Sequence, residues 1–231
     1  PELTTSKLLQ VIKKDLRLKE KPILMECFDN SNFQGNYPVA ACIVFKNGKP
    51  QKKDYRHFNI KSVEGPNDFA SMEEVIFRRY QRLINEKKPL PQLVIIDGGK
   101  GQLSSALKSL KKLNLNNKIA IIGIAKKLEE IFFPGDKYPL YLDKKTQTLK
   151  VIQSMRNEAH RFGINHHRNR RLKGLIKTDL NLINGVGEKT ITILLKKYKS
   201  VKLIKQISVK ELAKLIGHSK AKKIHDRFQD N

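Results

Sequence analysis

The spacing of apolar residues along the 231-residue chain changes several times, and each change marks a predicted element. From Leu3 to Leu18, Leu8, Leu9 and Ile12 recur at helical spacing. Ile23-Leu-Met-Glu-Cys-Phe28 is a strand-like run closed by Asp29, and Val39–Phe45 is a second strand followed by the hairpin signal Asn47-Gly48. A third strand is expected over Tyr55–Ile60, which gives an antiparallel meander. Gly65-Pro66-Asn67-Asp68 then breaks the pattern. Met72, Val75, Ile76, Tyr80 and Leu83 follow as a helical stripe, with Arg78, Arg79 and Arg82 expected to face elsewhere. Leu93–Ile96 reads as the fourth strand, Leu103–Leu113 as a helix and Ile119–Ile124 as the fifth strand. A hairpin-like segment, Ile131–Phe133 with Thr148–Ile152, is expected to lead into a helix over Met155–Phe162.

Meander, helix, strand, helix, strand, helix is the element order of a ribonuclease H-like fold. The expected class is therefore α/β, a mixed sheet flanked by helices. After Arg171 the pattern shortens. Leu180-Asn-Leu-Ile-Asn-Gly185-Val-Gly187-Glu-Lys189 joins two helical stretches through glycines, and Ile216-Gly217-His218-Ser219-Lys220 repeats the device. Two helix-hairpin-helix units linked by a helix around Ser200–Gln206 make a small all-α domain. The expected division is 1–171, including the N-terminal helix 3–18, and 172–231.

Charge sharpens this division. The formal net charge is +25, with a pI near 10.0, a balance suited to a polyanion such as nucleic acid. From Arg161 to Asn231, 18 Lys and Arg stand against 5 Asp and Glu, and before it 29 stand against 17. The C-terminal third is about twice as basic per residue, as a DNA-gripping module would be. No apolar run approaches the roughly 20 residues that span a bilayer, and no signal peptide precedes the first strand. Two cysteines in apolar runs, Cys27 and Cys42, read as core residues of a protein from a reducing, cytosolic setting. The start at Pro1, without a methionine, is expected of a piece of a longer protein.

The chemistry-bearing residues lie at the ends of the strands. Asp97-Gly98-Gly99-Lys100-Gly101 resembles a phosphate cradle, yet it has neither Walker nor dinucleotide spacing. A ribonuclease H-like sheet sets the first strand beside the fourth, so Asp29 and Asp97 are expected to converge on one edge and to bind Mg²⁺ or Mn²⁺. Asp68 reads equally as a further ligand or as the cap of the helix it opens. His160 is the histidine best placed for proton transfer or metal binding, and His57 reads as a sheet residue. Lys100, Lys126, Arg156 and Arg161 are candidate phosphate contacts beside them. Gly98, Gly99 and Gly101 are expected to allow a tight strand-to-helix turn and close approach of the DNA backbone. The residues alone leave open a non-catalytic DNA-binding module, and a structure-specific resolvase or RNase H-type nuclease.

The set Glu26-Cys-Phe-Asp29-Asn-Ser-Asn-Phe-Gln-Gly35, Gly65-Pro-Asn-Asp68-Phe-Ala-Ser-Met72, Asp97-Gly-Gly-Lys-Gly-Gln102, Gly123-Ile-Ala-Lys126 and Glu158-Ala-His160-Arg-Phe162, followed by the tandem hairpins, resembles the C-terminal half of the UvrC family. That family is the incising subunit of bacterial nucleotide excision repair. The resemblance covers the chain from Leu24 to its end. It implies a metal-dependent endonuclease domain making the 5′ incision with Mg²⁺ or Mn²⁺, followed by a DNA-binding domain. Asp29, Asp97 and His160 match the family's catalytic triad and metal site, and Asp68 matches a further functional carboxylate. Gly185, Gly187, Lys189, Gly217 and Lys220 fall in the DNA-binding hairpins. Asn30 stands where an aliphatic residue is usual, Asn157 where an acidic residue is usual, and Ser219 where the second hairpin expects glycine. The family's GIY-YIG nuclease domain and UvrB-interacting segment have no counterpart here. This chain by itself is expected to lack 3′ incision and to reach the UvrB–DNA complex only through the full-length protein.

Overall fold

The computed structural model describes residues 4–31, 39–60, 67–125, 130–175 and 179–229. The chain divides into two compact units, Pro1–Asn165 and His166–Asn231.

The first unit opens with α1 (Thr5–Asp15), whose Leu9 and Ile12 are buried. Strand β1 (Leu24–Ser31) pairs antiparallel with β2 (Val39–Lys46). The expected third meander strand, Tyr55–Ile60, forms over Arg56–Asn59, with a further short strand before it. Two short strands, β3 (Lys49–Pro50) and β4 (Arg56–Asn59), both pair with β2, and a 3-10 turn, Lys52–Asp54, lies between them. Helix α2 (Asp68–Asn85), strand β5 (Leu93–Asp97), helix α3 (Lys100–Lys112) and strand β6 (Ala120–Ala125) follow, then the edge strand β7 (Glu130–Phe132). The sheet order is β3-β2-β1-β5-β6-β7 with β4 also on β2. The central pairs β1·β5 and β5·β6 are parallel and the outer ones antiparallel. This is the mixed sheet flanked by helices that the element order implies.

Thr148–Ile152 is not a strand. It forms the first turns of the helix α4 (Gln147–Leu175), and β7 instead bridges to Leu140. Leu149, Ile152, Met155 and Ala159 are each at most 1 % exposed and recur every three or four residues, so the β-branched run sits on a helical face. The Thr148 hydroxyl donates to the Asp15 carboxylate and ties the start of α4 to the end of α1.

Strand alternation gives the sheet two apolar faces. Met25, Cys27, Leu93, Ile95, Ile122 and Ile124 pack against α1 and α4. Phe28, Cys42, Val94, Ile96 and Ile121 pack against α2 and α3. On the second face a charged pair is enclosed. Glu26, 1 % exposed, accepts from Arg79 Nη2 at 2.6 Å and from the Tyr80 hydroxyl at 2.9 Å. Arg79 thus belongs to the buried side of α2, contrary to its expected outward direction, because a buried carboxylate on β1 requires a partner of opposite charge.

The second unit has its own apolar core, formed by Leu180, Ile183, Val186, Ile191, Leu194, Leu195, Ile204, Leu212, Ala221 and Ile224. A 3-10 turn, Asp179–Leu182, leads to α5 (Glu188–Tyr198). Then α6 (Val201–Lys205), α7 (Val209–Ile216) and α8 (His218–Gln229) complete the unit. Among the described residues no helix is long and apolar enough to cross a membrane.

Removing only Arg79 leaves the Glu26 charge enclosed. Arg79→Met is therefore expected to lower the stability read from urea unfolding by about 3–5 kcal/mol. Combining it with Glu26→Leu should recover much of that loss. Equal stability of the single variant and the parent chain would show that the pair holds nothing.

Candidate active site

Parallel pairing fixes the centre of the site. The β1–β5 ladder runs from Met25 beside Leu93 to Phe28 beside Ile96, so the next residues in register are Asp29 and Asp97. Both project on the Cys27 and Ile95 face, at the carboxyl end of β5, and are 1 % and 4 % exposed respectively. Asp29 does not close its strand, as the sequence reading has it. β1 continues through Asn30 to Ser31 against β2, so Asp29 is held by ladder pairing with Ala41.

From the same face α4 brings two more groups. His160 Nδ1 lies 3.1 Å from Asp29 Oδ2, and its side chain is 54 % exposed against 1 % for Asp29. A carboxylate only accepts, so Nδ1 carries the hydrogen in this contact and Nε2 is left for a reactant. One helical turn earlier stands Arg156. The buried Cys27 thiol reports the local field. Burial, then Asp97, then Asp29 raise its pKa well above the ordinary value, while Arg156 acts to lower it. The charges of both carboxylates and of Arg156 thus act on the buried Cys27.

Asp68 lies on the other side of this edge. It is the first residue of α2, but the helix is capped by Asn67, whose side chain accepts from the Ala70 N–H at 3.0 Å. The capping alternative for Asp68 is overturned, since the preceding asparagine already satisfies the first turn. Asn30 Nδ2 donates to the Asp68 carbonyl at 2.8 Å and links β1 to the start of α2. Sequence reasoning registered Asn30 only as a departure from the family pattern. The signal available was a short amide directly after Asp29.

The glycine turn behaves differently from expectation. α3 starts at Lys100, directly after Gly99, with no side chain capping it. Among the described residues the positive-φ glycines are Gly48, Gly135, Gly185 and Gly217, so Gly98, Gly99 and Gly101 are not needed for an unusual backbone turn. Two of the three relieve crowding: a Cβ on Gly98 would meet the Gln102 side chain at 1.9 Å, and one on Gly101 would meet the Phe69 ring at 2.5 Å. Only Gly99 faces open space. Lys100 donates to the Lys137 carbonyl and lies 5.1 Å from the Phe132 ring centroid, turned toward β7. Arg161 forks onto Glu158 with bonds of 2.6 and 2.8 Å. That fork holds the Glu158 carboxyl below its ordinary range. Lys126 lies outside the described residues. His57 is a sheet residue in β4, stacked on Phe162 at 3.7 Å.

Among the described residues no group of three or more His, Cys, Asp and Glu side chains converges to hold a metal ion. The donor set still suits a hard divalent cation, because Mg²⁺ characteristically takes one or two carboxylates and fills its sphere with water and substrate phosphate. Two adjacent carboxylates of low exposure are such a pair.

Comparison with known families gives the family of the chain. The family described as UvrC RNAse H endonuclease domain matches residues 13–164, and the SAM-like helix-hairpin-helix tandem matches residues 177–230. The chain belongs to the UvrC family. It is 64 % identical over 228 residues to UvrABC system protein C of Flavobacterium psychrophilum, covering 99 % of this chain and 38 % of that protein. The protein of the same name from Flavobacterium johnsoniae is 60 % identical, with 100 % and 39 % covered. This UvrC chain thus spans under two-fifths of the length of the curated relatives it matches. Among solved structures, human ENDOV gives a TM-score of 0.41 at 12 % identity, covering 72 % of this chain and 98 % of that one. Ciona intestinalis endonuclease V, solved with a 24mer DNA containing inosine, gives 0.36 at 22 % identity over 66 % and 65 %. Likenesses of that size say nothing about chemistry.

In the helical unit of this UvrC chain, Lys223 donates to the Asn184 carbonyl at 3.2 Å and covers Gly185 of the first hairpin, while the second hairpin is open at Gly217. Gly185 and Gly217 have φ of +88° and +81°, a region that side chains resist, and α7 and α8 are joined by Gly217 alone. No atom lies within 4 Å of a Cβ placed on Gly187 or Gly217. Lys189 is exposed, and Lys220 reaches the Thr190 hydroxyl at 3.4 Å. Ser219, in place of glycine, sits exposed in the first turn of α8, so the turn itself does not depend on it.

Burial and neighbouring carboxylates raise the pKa of both thiols, through Asp97 and Asp29 at Cys27 and through Glu26 at Cys42. Little thiolate should therefore exist at about pH 8. Iodoacetamide is expected to leave both cysteines of the native chain unmodified and to label both in urea, as read by mass spectrometry. Rapid labelling of native Cys27 would show that the carboxylate face admits solvent.

Proposed function

We propose that this chain is a divalent-metal-dependent DNA endonuclease, the part of UvrC that makes the 5′ incision in nucleotide excision repair. The observation that carries the reading is the adjacency of Asp29 and Asp97 on parallel neighbours, with His160 bonded to the first. Asp29 and Asp97 would hold Mg²⁺ or Mn²⁺, and His160 borders the same position. A cation bound there supplies a more acidic water and charge stabilisation at the scissile phosphate.

The chain's own groups do the rest. Asp29 orients the His160 ring, which leaves Nε2 to move a proton at the reacting oxygen. Arg156 and the uncapped start of α3 supply positive potential at the edge where a phosphate would lie. Asp68, anchored through its carbonyl to Asn30, borders the site from the α2 side and is the further functional carboxylate of this reading. Lys100, Lys126 and Arg161 keep the part of outer phosphate contacts, the first and last after leaving their present partners. The endonuclease role falls to 1–171 and the DNA grip to 172–231, where backbone N–H groups near Gly185, Gly187 and Gly217, with Lys189 and Lys220, would contact phosphate without reading sequence. Full-length UvrC would bring the chain to damaged duplex or bubble DNA through the UvrB–DNA complex in the cytoplasm.

Nicking of a bubble duplex with Mn²⁺ tests this. Asp29→Asn, Asp97→Asn and His160→Ala are each expected to lose about 10²-fold or more in nicking rate while keeping DNA affinity. Wild-type nicking by the Asp97 variant would sink the proposal. Replacing Lys189 by Ala should instead weaken binding alike for all sequences and reduce the salt slope of log K by about 1. An unchanged slope would remove the hairpin from the DNA interface.

A further inference from the structure

Phe69 stands at the rim of the candidate site and is 56 % exposed, although its neighbours on α2, Met72, Val75 and Ile76, are fully buried. Its position is fixed from two sides. A Cβ on Gly101 would lie 2.5 Å from Phe69 Cε1 and 2.8 Å from Cζ, so the ring rests directly on the backbone of the first turn of α3. The peptide preceding Phe69 is held by the Asn30 amide, which donates to the Asp68 carbonyl at 2.8 Å. Asn30 follows Asp29 on β1, and Gly101 follows Asp97 by four residues after β5. The ring is thus pinned at the carboxyl edge between the two strands that carry the carboxylates.

We propose that Phe69 is a stacking platform for an unpaired base of the DNA strand whose phosphate reaches Asp29 and Asp97. This rests on the nuclease reading, which brings a DNA backbone to that edge. By strand alternation the carboxylates share the face of Cys27 and Ile95 that packs on α4, while Phe69 belongs to α2 and rests on α3 at Gly101, on the opposite side. A strand crossing the edge would set its phosphate over the first and a neighbouring base over the second. Every base has a π-face, so such a platform selects no sequence. It does select state, because a base stacked inside a duplex has no free face to offer and must first be unstacked. The specificity conferred is therefore for bubble, gapped or frayed DNA over intact duplex.

The test uses the 231-residue chain and a bubble duplex carrying 5-iododeoxyuridine beside the nicking position. Irradiation without divalent metal makes this readout independent of incision. The wild-type chain should crosslink at Phe69, Phe69→Tyr should keep the crosslink, and Phe69→Ala should lose it with an unchanged unfolding midpoint. With Mn²⁺, Phe69→Ala should slow bubble nicking by about tenfold, and Phe69→Tyr should stay within about twofold. Gly101→Val, which displaces the ring, should reproduce the alanine result. A crosslink confined to other residues, with Phe69→Ala nicking bubbles at the wild-type rate, would overturn the proposal and leave the nuclease reading intact. A Phe69 crosslink on a chain that never nicks would sustain the platform and count against the nuclease.

Discussion

The parallel register between β1 and β5 is the constraint on which the site depends. Neighbouring strands run about 4.8 Å apart, so two carboxylates at adjacent positions repel by roughly 3 kcal/mol even at an effective dielectric of about 20. A sheet with no use for that repulsion would place an apolar residue at one of the positions. Here Cys27, Ile95 and Ile124 continue the same face as ordinary core, and the two acidic residues come where that core meets the edge. His160 and Arg156 arrive from α4, the helix that also covers the core below them. The apolar residues Ile152, Met155 and Ala159 therefore set the height of the polar ones on one helix.

The opposite face solves a related problem differently. Glu26 lies three residues before Asp29 and points the other way, as the period of two requires. Its charge is matched inside the protein by Arg79 and Tyr80, with no reactant needed. The pair also docks α2, whose first turn carries Asp68 and Phe69. One strand thus supplies a structural carboxylate to one face and a candidate reactive carboxylate to the other. The exposure of the partners separates them: Arg79 is enclosed, whereas His160 is more than half open.

Much of this was legible before any coordinates, for physical reasons that differ from element to element. The stripe Met72, Val75, Ile76, Tyr80 and Leu83 is unambiguous because only a helix makes those positions share a face. The runs at β1, β5 and β6 are apolar on both sides because all three are covered twice, the mark of central parallel strands. Thr148–Ile152 misled because a short β-branched stretch has no period of its own, and only its contacts with α1 and the sheet decide it. Arg79 was misplaced because a single charged residue next to an apolar stripe carries no sign of a partner 53 positions earlier. The glycines after Asp97 were read as conformational devices, yet Gly101 answers to a ring from α2 that no local pattern announces. The convergence of Asp29 with Asp97 was legible only through the fold, since strand pairing is non-local.

On the proposed reading the two units divide affinity from chemistry. Backbone contacts from the hairpin turns and lysines would hold phosphates of any sequence and weaken steeply with salt. Carboxylates could not do this, because their charge repels the same phosphates. An acidic site in a chain of net charge +25 therefore needs its cations elsewhere on the protein to bring DNA near, and a local device to admit one particular phosphate. In the first unit that device would be short-range: Arg156 on the face of the two carboxylates, the uncapped start of α3, and a base-sized aromatic surface on the opposite face. On the proposed reading, selection of the bond to be cut would rest on which nucleotide can leave its stack, a property of the DNA, and long-range attraction would decide only where the protein spends its time.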